Sequence, residues 1–285
     1  MTTSPSQSSS STLPTMSKHA PADRVFVPFD RLGIRMVYPG GGASWMPERL
    51  IITIDGPAGT GKSTVARTLA KRLGVDFLDT GAMYRAAAVI AVRHGFAPTD
   101  GAQVVEAVQN VDMHFDWESD PPDLLCDGQS VMNRIRDEDV TRIVSPIAGI
   151  AELRRVMVER QREIARLHPR LVTEGRDQGS EVFPDADVKL FMYASAEVRA
   201  NRRTEELRAK GLPADENRIL SDIIERDRSD ATRKVGPLVC PEGAQRVDTS
   251  FLSIEDVVSE LERRVRASVT SDRLSPSEGT GADRR

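Results

Sequence analysis

One stretch limits what this chain can fold into more than any other. Leu50 to Ile54 is a short apolar run rich in β-branched residues, and after Asp55 it breaks into Gly56-Pro57-Ala58-Gly59-Thr60-Gly61-Lys62-Ser63-Thr64. An apolar run of this length, bounded by Gly-Pro, reads as a buried parallel strand of an α/β protein. Gly56, Gly59 and Gly61 permit backbone conformations that a Cβ forbids, so successive N–H groups can face one anion. The spacing Gly-x-x-x-x-Gly-Lys-Ser is the phosphate-binding P-loop pattern. In it, residues 56 to 64 would wrap the phosphates of a nucleoside triphosphate, Lys62 bridging the β- and γ-phosphates and the Ser63 hydroxyl ligating Mg²⁺. The helix beginning near Lys62 adds its positive end to the same spot. Four fixed positions match by chance in roughly one chain of this length in a hundred at average residue frequencies. Context makes chance rarer still: Val65, Leu69 and Leu73 recur at helical spacing after the loop, and Gly74 sits where a C-cap belongs.

Charge says that any anion site has to be built locally. With 39 Lys and Arg against 43 Asp and Glu the net charge is -4, so no overall field draws the chain to nucleic acid or a membrane. Cys126 and Cys240 are far apart and lack metal-type spacing, so two buried free thiols are expected rather than a disulfide or a zinc site. No run reaches the apolar length of a membrane span and no secretory signal opens the chain, which makes a cytoplasmic protein the expectation.

Residues 1 to about 23 are Ser-, Thr- and Pro-rich and too poor in apolar side chains to order. With the glycine-containing stretch that follows, residues 1–49 are expected to be a disordered N-terminal extension. Met16, Met36 and Met46 all precede the first core strand, so the native start is open; a transit peptide is disfavoured by the mixed charge. After the P-loop helix, Val75 to Leu78 reads as a second strand and Asp79-Thr80-Gly81 as a turn into a helix through Tyr84 to His94. Strand, loop, helix, strand, helix is the doubly wound signature. From about 96 to 150 the pattern changes to short strands (113–117, 124–126, 130–132) with Asp/Pro and Asp-Gly turns, an antiparallel insert. Two helical stretches, the second over about 146–167, then strands at 171–173 and 188–193 and a helix capped by Ser195 follow. A charged stretch, 202–234, reads as two helices split at Gly211-Leu212-Pro213. A strand at 246–248 and a helix over 253–267 close the fold, leaving 268–285 as a flexible tail.

Three clusters point to a second substrate. Thr80 and Arg85 stand where a strand end meets a helix N-terminus, suited to a phosphate. Glu174-Gly175-Arg176-Asp177-Gln178-Gly179 follows a strand directly, where open α/β sheets hold ligands. Arg226, Arg228, Asp230 and Arg233 lie in the charged helical stretch, which is either a solvated face or a mobile arm bringing arginines onto a transferring phosphoryl group.

Ile54-Asp55-Gly56-Pro57, the segment Leu78 to Arg85, EGRDQGSEVFPDADVKLF (Glu174 to Phe191) and ERDRSDATR (Glu225 to Arg233), in this order, closely resemble bacterial cytidylate kinases over residues 50 to 266. The resemblance implies a P-loop nucleoside monophosphate kinase fold: a central parallel sheet flanked by helices, a small antiparallel insert at about 96–150, and a helical LID at about 202–234, all within a domain of residues 50–267. It implies phosphoryl transfer from ATP, with Mg²⁺, to CMP or dCMP by a monomer. It further implies that Thr80, Tyr84, Arg85 and Arg176 hold the acceptor phosphate region, and that Ser145, Arg154 and Asp177 read the cytosine. Arg226 and Asp230 would take the sugar hydroxyls. Lys62, Arg176 and Arg233 would carry catalysis. Gln178 stands where the family usually has an aliphatic residue, and Ser180 where Thr is usual. Kinases for UMP, AMP or shikimate are the nearest alternatives, and a P-loop ATPase or regulatory nucleotide-binding protein is the one from another class. No switch-type Asp-x-x-Gly or guanine-reading Asn-Lys-x-Asp supports the latter.

Overall fold

The structure is a computed structural model that describes residues 46–274. Its first strand, β1 (Leu50–Asp55), is buried at all six positions and lies at the centre of a five-stranded sheet. With β2 (Asp76–Asp79), β6 (Arg170–Gly175), β7 (Val188–Tyr193) and β8 (Gln245–Asp248) the spatial order is β2-β6-β1-β7-β8, every pair parallel. A parallel sheet has both faces covered, which is why its central strands read as continuous apolar runs. Leu50, Ile52 and Ile54 face one layer, where they meet Leu69 and Leu73 of α1 (Lys62–Leu73) and Val258, Leu261 and Val265 of α8 (Ile254–Leu274). Each such side chain, fully withdrawn from water, contributes about 1.5–3 kcal/mol.

The alternate residues of β1 face the other layer. There Ile51 meets α2 (Thr80–His94), whose run Ala86-Ala87-Ala88-Val89-Ile90-Ala91 is buried without interruption. Around this thin central helix pack α3 (Gly101–Asn110), α4 (Glu138–Ala148) and α5 (Ala151–Leu167), together with an antiparallel sheet of β3 (Met113–Asp116), β4 (Asp123–Cys126) and β5 (Gln129–Ser130). Between β7 and β8 the chain forms α6 (Ala196–Ala209) and α7 (Glu216–Ala231), which pack on each other.

Several elements differ from expectation. The insert opens with α3, which the strand-like signals of 96–145 did not announce; Val104 and Val108, four residues apart, bury its one apolar face. The two helical stretches expected after the strands are α4 and α5, but the second begins at Ala151 rather than near 146, because Pro146 lies in the last turn of α4 and the chain breaks at Gly149, whose N–H bonds to Pro146 O at 3.0 Å. The helix capped by Ser195 runs on to Ala209, so three expected helical pieces are two. The closing helix continues to Leu274, past 267. Of the N-terminal extension, residues 1–45 lie outside the described residues, as do 275–285 of the tail. Within the remainder, Met46 packs on the core and Arg49 pairs with Asp185 at 2.8 Å. Both cysteines are free, but only Cys126 is buried; Cys240 is exposed in the irregular segment before β8. No helix among the described residues is long and apolar enough to cross a membrane.

Candidate active site

The strand order reverses at β1: β6 lies on one side and β7 on the other, and the loop leaving its carboxyl end enters the crevice where open α/β sheets bind ligands. Gly56 there has φ 149°, and a Cβ on it would collide with the carbonyl oxygen of Met192 in β7. Gly61, at φ 84°, turns the chain into α1. Lys62 is buried, its Nζ donating to Pro57 O at 2.8 Å, and burial, with Arg176 second, lowers its ammonium to a pKa of about 7. An arriving polyphosphate would reverse that shift by supplying the missing counter-charge.

A cleft of about 420 Å³ opens beside the loop. It brings together Lys62, Ser63, Thr80, Tyr84, Arg85, Ser145, Arg154, Arg176, Asp177, Arg226, Asp230 and Arg233, from seven different elements and loops. Of the expected site residues only Gly56, Pro57 and Thr60 do not line it.

At the P-loop end, the Ser63 hydroxyl donates to Glu174 Oε1 at 2.7 Å. Asp79, the N-cap of α2, accepts from Ala82 N at 2.9 Å. Burial, then the neighbouring Glu174 carboxylate, raises Asp79 to a pKa of about 7. A hydroxyl and two close carboxylates form an oxygen site short of positive charge, which fits Mg²⁺.

At the other end, Arg154 and Asp177 form an ion pair with side chains 2% and 3% exposed. Arg154 also donates through Nη1 to Ala148 O at 3.1 Å and lies 5.2 Å from the Tyr84 ring centroid. Burial pushes the Asp177 carboxyl up, with Arg154 opposing. Two polar atoms here have no partner, Arg154 Nε and the Ser145 hydroxyl. Buried unpaired donors are costly, and they mark a place where a polar ligand is missing.

Between the two ends lie the arginines. Arg176 Nε donates to Asp230 Oδ2 at 2.9 Å, and Arg233 bonds the other oxygen of the same carboxylate. Burial alone would raise Asp230, but Arg176 and Arg233 hold it below the usual carboxylate range. Arg226 has an unpartnered Nε, and burial followed by Arg176 lowers it to about 10. Arg85 donates to Ile135 O at 3.1 Å and to Thr141 Oγ1 at 3.3 Å, and Thr80 Oγ1 to Glu174 O at 2.6 Å. Arg85, Arg176 and Arg233 are thus held by oxygens of the protein itself.

The cytidylate kinase family model matches residues 52–267. The chain belongs to the cytidylate kinase family. It is 44% identical over 217 residues to the cytidylate kinase of Corynebacterium diphtheriae, covering 76% of this chain and 94% of that protein. To the cytidylate kinase of Pelotomaculum thermopropionicum it is 45% identical over 218 residues, 76% of this chain and 96% of that one. The Rhodococcus jostii cytidylate kinase is 42% identical over 214 residues, with 75% and 93% covered.

The family match spans every expected site residue from Gly56 to Arg233. It also spans residues that sequence reasoning left without a role. Asp55 is fully buried and accepts the backbone N–H groups of Gln178 and Gly179 at 2.8 and 2.7 Å, tying the end of β1 to the turn after Asp177. Asp79 and Glu174 stood inside quoted motifs, and their position at strand ends was the available signal. The unusual Gln178 is accommodated by chemistry rather than by packing: it accepts from Thr173 Oγ1 at 2.8 Å and donates to Gln161 Oε1 at 3.1 Å, a buried polar chain in this cytidylate kinase family member.

Proposed function

We propose that the protein transfers the γ-phosphoryl group of ATP to CMP or dCMP, giving ADP and the corresponding diphosphate. The observation that carries this reading is the pocket of Arg154, Asp177 and Ser145 at the far end of the cleft from the P-loop. Cytosine presents an exocyclic amine donor beside the N3 and O2 acceptors. Asp177 accepts from the amine, while Arg154 and the Ser145 hydroxyl, which have unpaired polar atoms, donate to N3 and O2. Uracil inverts the first two positions, setting an acceptor against the Asp177 carboxylate and a donor against the guanidinium. A site built for hydrogen bonds rejects such a ligand strongly, because its buried polar groups are left unpaired.

In this reading the acceptor phosphate lies among Thr80, Arg85 and Arg176, and the sugar hydroxyls meet Asp230 and Arg226. As those hydroxyls engage Asp230, Arg176 and Arg233 are released toward the phosphates. Residues 56–64 wrap the ATP phosphates, with the Lys62 ammonium at the β- and γ-positions. Mg²⁺ would be held by Ser63, with Glu174 and Asp79 behind it, and when bound it neutralises the phosphate oxygens. The attacking oxygen is already an anionic phosphate, so no general base is required. What the protein supplies is alignment and positive charge for a loose in-line transition state. Closure of α6 and α7 and of the insert keeps water from the γ-phosphate. A monomer is the working state in this reading.

The test is ADP release from Mg-ATP with CMP, dCMP, UMP, AMP or no acceptor, for the wild type and for Asp177→Ala. Turnover favouring CMP and dCMP, with that preference lost in the variant, supports the reading. ADP release indifferent to the acceptor overturns it.

A further inference from the structure

One buried cation has no part in the reading above. Arg199, on the first turns of α6, is 4% exposed. Its guanidinium donates from Nε to Ala194 O at 3.0 Å, and from Nη1 to Ala58 O at 3.0 Å. The same group forks onto Asp227 of α7, at 3.1 Å to Oδ1 and 2.6 Å to Oδ2. Three elements thus meet at one side chain: the end of β7, the P-loop and α7. The loop also lies against the arginine stem, since a Cβ on Gly59 would stand 3.4 Å from Arg199 Cβ.

What makes this junction more than a structural pair is how little else holds α7. The helix packs along α6 with half-buried residues such as Ile219, Leu220 and Ile223, but it buries only Asp230 fully and leaves Ile224 52% exposed, so apolar packing holds it loosely. Among the described residues, two side-chain ion pairs tie α7 to earlier elements. One is Arg176 to Asp230, which involves groups that change partners when an acceptor arrives. The other is Arg199 to Asp227, and neither of these residues lines the cleft. Asp227 nevertheless sits directly after Arg226 and three residues before Asp230. A bidentate guanidinium–carboxylate fork fixes direction as well as distance, which a point-charge ammonium cannot do.

We infer that Arg199 is a positioning residue that couples the P-loop to α7, so that filling the loop with nucleotide sets Arg226, Asp230 and Arg233 over the acceptor. This rests on the phosphoryl-transfer reading of the same site. Two expectations follow. A non-hydrolysable ATP analogue strengthens CMP binding to the wild type, and that coupling is carried by the fork. Arg199→Lys and Asp227→Asn break the fork while keeping size, and each lowers kcat at least about tenfold, the scale of a misplacement of an ångström or less. Their KM values for ATP and CMP taken singly change less than about threefold, and the analogue's effect on the CMP dissociation constant falls toward one. Because both changes remove one interaction, the double variant is no worse than the poorer single.

The measurements are steady-state kinetics, calorimetric CMP titrations with and without the analogue, and urea melts confirming that each variant is folded. A folded single variant with wild-type kcat and coupling overturns the inference. So does a double variant whose loss is the product of the singles, or a wild type without coupling. If CMP-dependent turnover is itself absent, the activity is wrong, and the calorimetric coupling still decides the junction.

Discussion

Removing the Asp177 carboxylate isolates the physics of the base pocket. In Asp177→Ala the guanidinium of Arg154, 2% exposed, keeps its bond to Ala148 O at 3.1 Å and its place over Tyr84, but loses its only counter-charge in direct contact. A buried ion pair broken on one side costs about 3–5 kcal/mol, most of it the desolvated charge left behind. For a domain of this size each kcal/mol moves Tm by roughly 2–4 °C, so a drop of about 6–20 °C is expected. Replacing both partners, as in Arg154→Met with Asp177→Leu, removes the stranded charge along with the pair. That double variant is expected to recover to within about 1 kcal/mol of the wild type or better, yet to have no preference among pyrimidine monophosphates. Urea unfolding followed by far-ultraviolet circular dichroism measures the stabilities, and ADP release measures the selectivity. A loss below about 1 kcal/mol in Asp177→Ala would mean that the pair is not desolvated. A double variant as unstable as the single would refute the stranded-charge explanation.

Other outcomes can be worked out in the same way. Asp55 has its carboxyl raised to about 7 by burial, against two N–H bonds that lower it. The folded state therefore holds a proton that the unfolded chain, with an ordinary carboxyl near 3.8, gives up. Stability should fall as pH rises from about 4 to 7, by up to ~1.4 kcal/mol per unit, and Asp55→Asn should flatten that slope in urea melts; an unchanged slope excludes Asp55 as its source. Gln178→Leu, which installs the aliphatic residue usual in the family, strands Thr173 Oγ1 and Gln161. It should lower stability by about 2–6 kcal/mol at 1–3 for each unpaired group, and adding Thr173→Val and Gln161→Leu should recover most of it; a neutral single variant contradicts this. Lys62→Met should lower kcat by about 10²–10³, the usual loss for one preorganised donor, with little change in melting temperature. Gly56→Ala should cost at least about 1–3 kcal/mol of backbone strain and weaken ATP binding measured calorimetrically, because β7 has to move to admit the methyl.

How much of this could be read from residues alone follows from how local each signal is. The P-loop was legible because the apolar β1, its glycines and Lys62 are adjacent and each has one conformational reason to be there. The central strands were legible because burial on both faces leaves runs such as Leu50 to Ile54. In contrast, α3 was missed because its valines carry a strand-like preference, and only packing on the rest of the insert makes a helix of them. Two helices were legible after the strands of the insert, but their boundary was not, because Pro146 is accommodated in the last turn of α4 and the chain breaks only at Gly149. Among site residues, Arg176 and Asp177 stood out between glycines at a strand end. Asp55, Arg199 and the Gln161–Gln178–Thr173 chain did not, since their partners lie 123 to 124 residues away for Asp55, 28 and 141 away for Arg199, and 5 and 17 away for Gln178. Nothing in the local sequence announces such contacts.

The most direct test is where the phosphoryl group goes. The protein is incubated with Mg²⁺ and ATP labelled at the γ-phosphate, with CMP present or absent, and the products are separated by ion-exchange chromatography. Label recovered in CDP when CMP is present, with almost none in inorganic phosphate when it is absent, is the predicted result. Label appearing in inorganic phosphate at the same rate with or without CMP would contradict a kinase acting through the Arg154–Asp177 pocket.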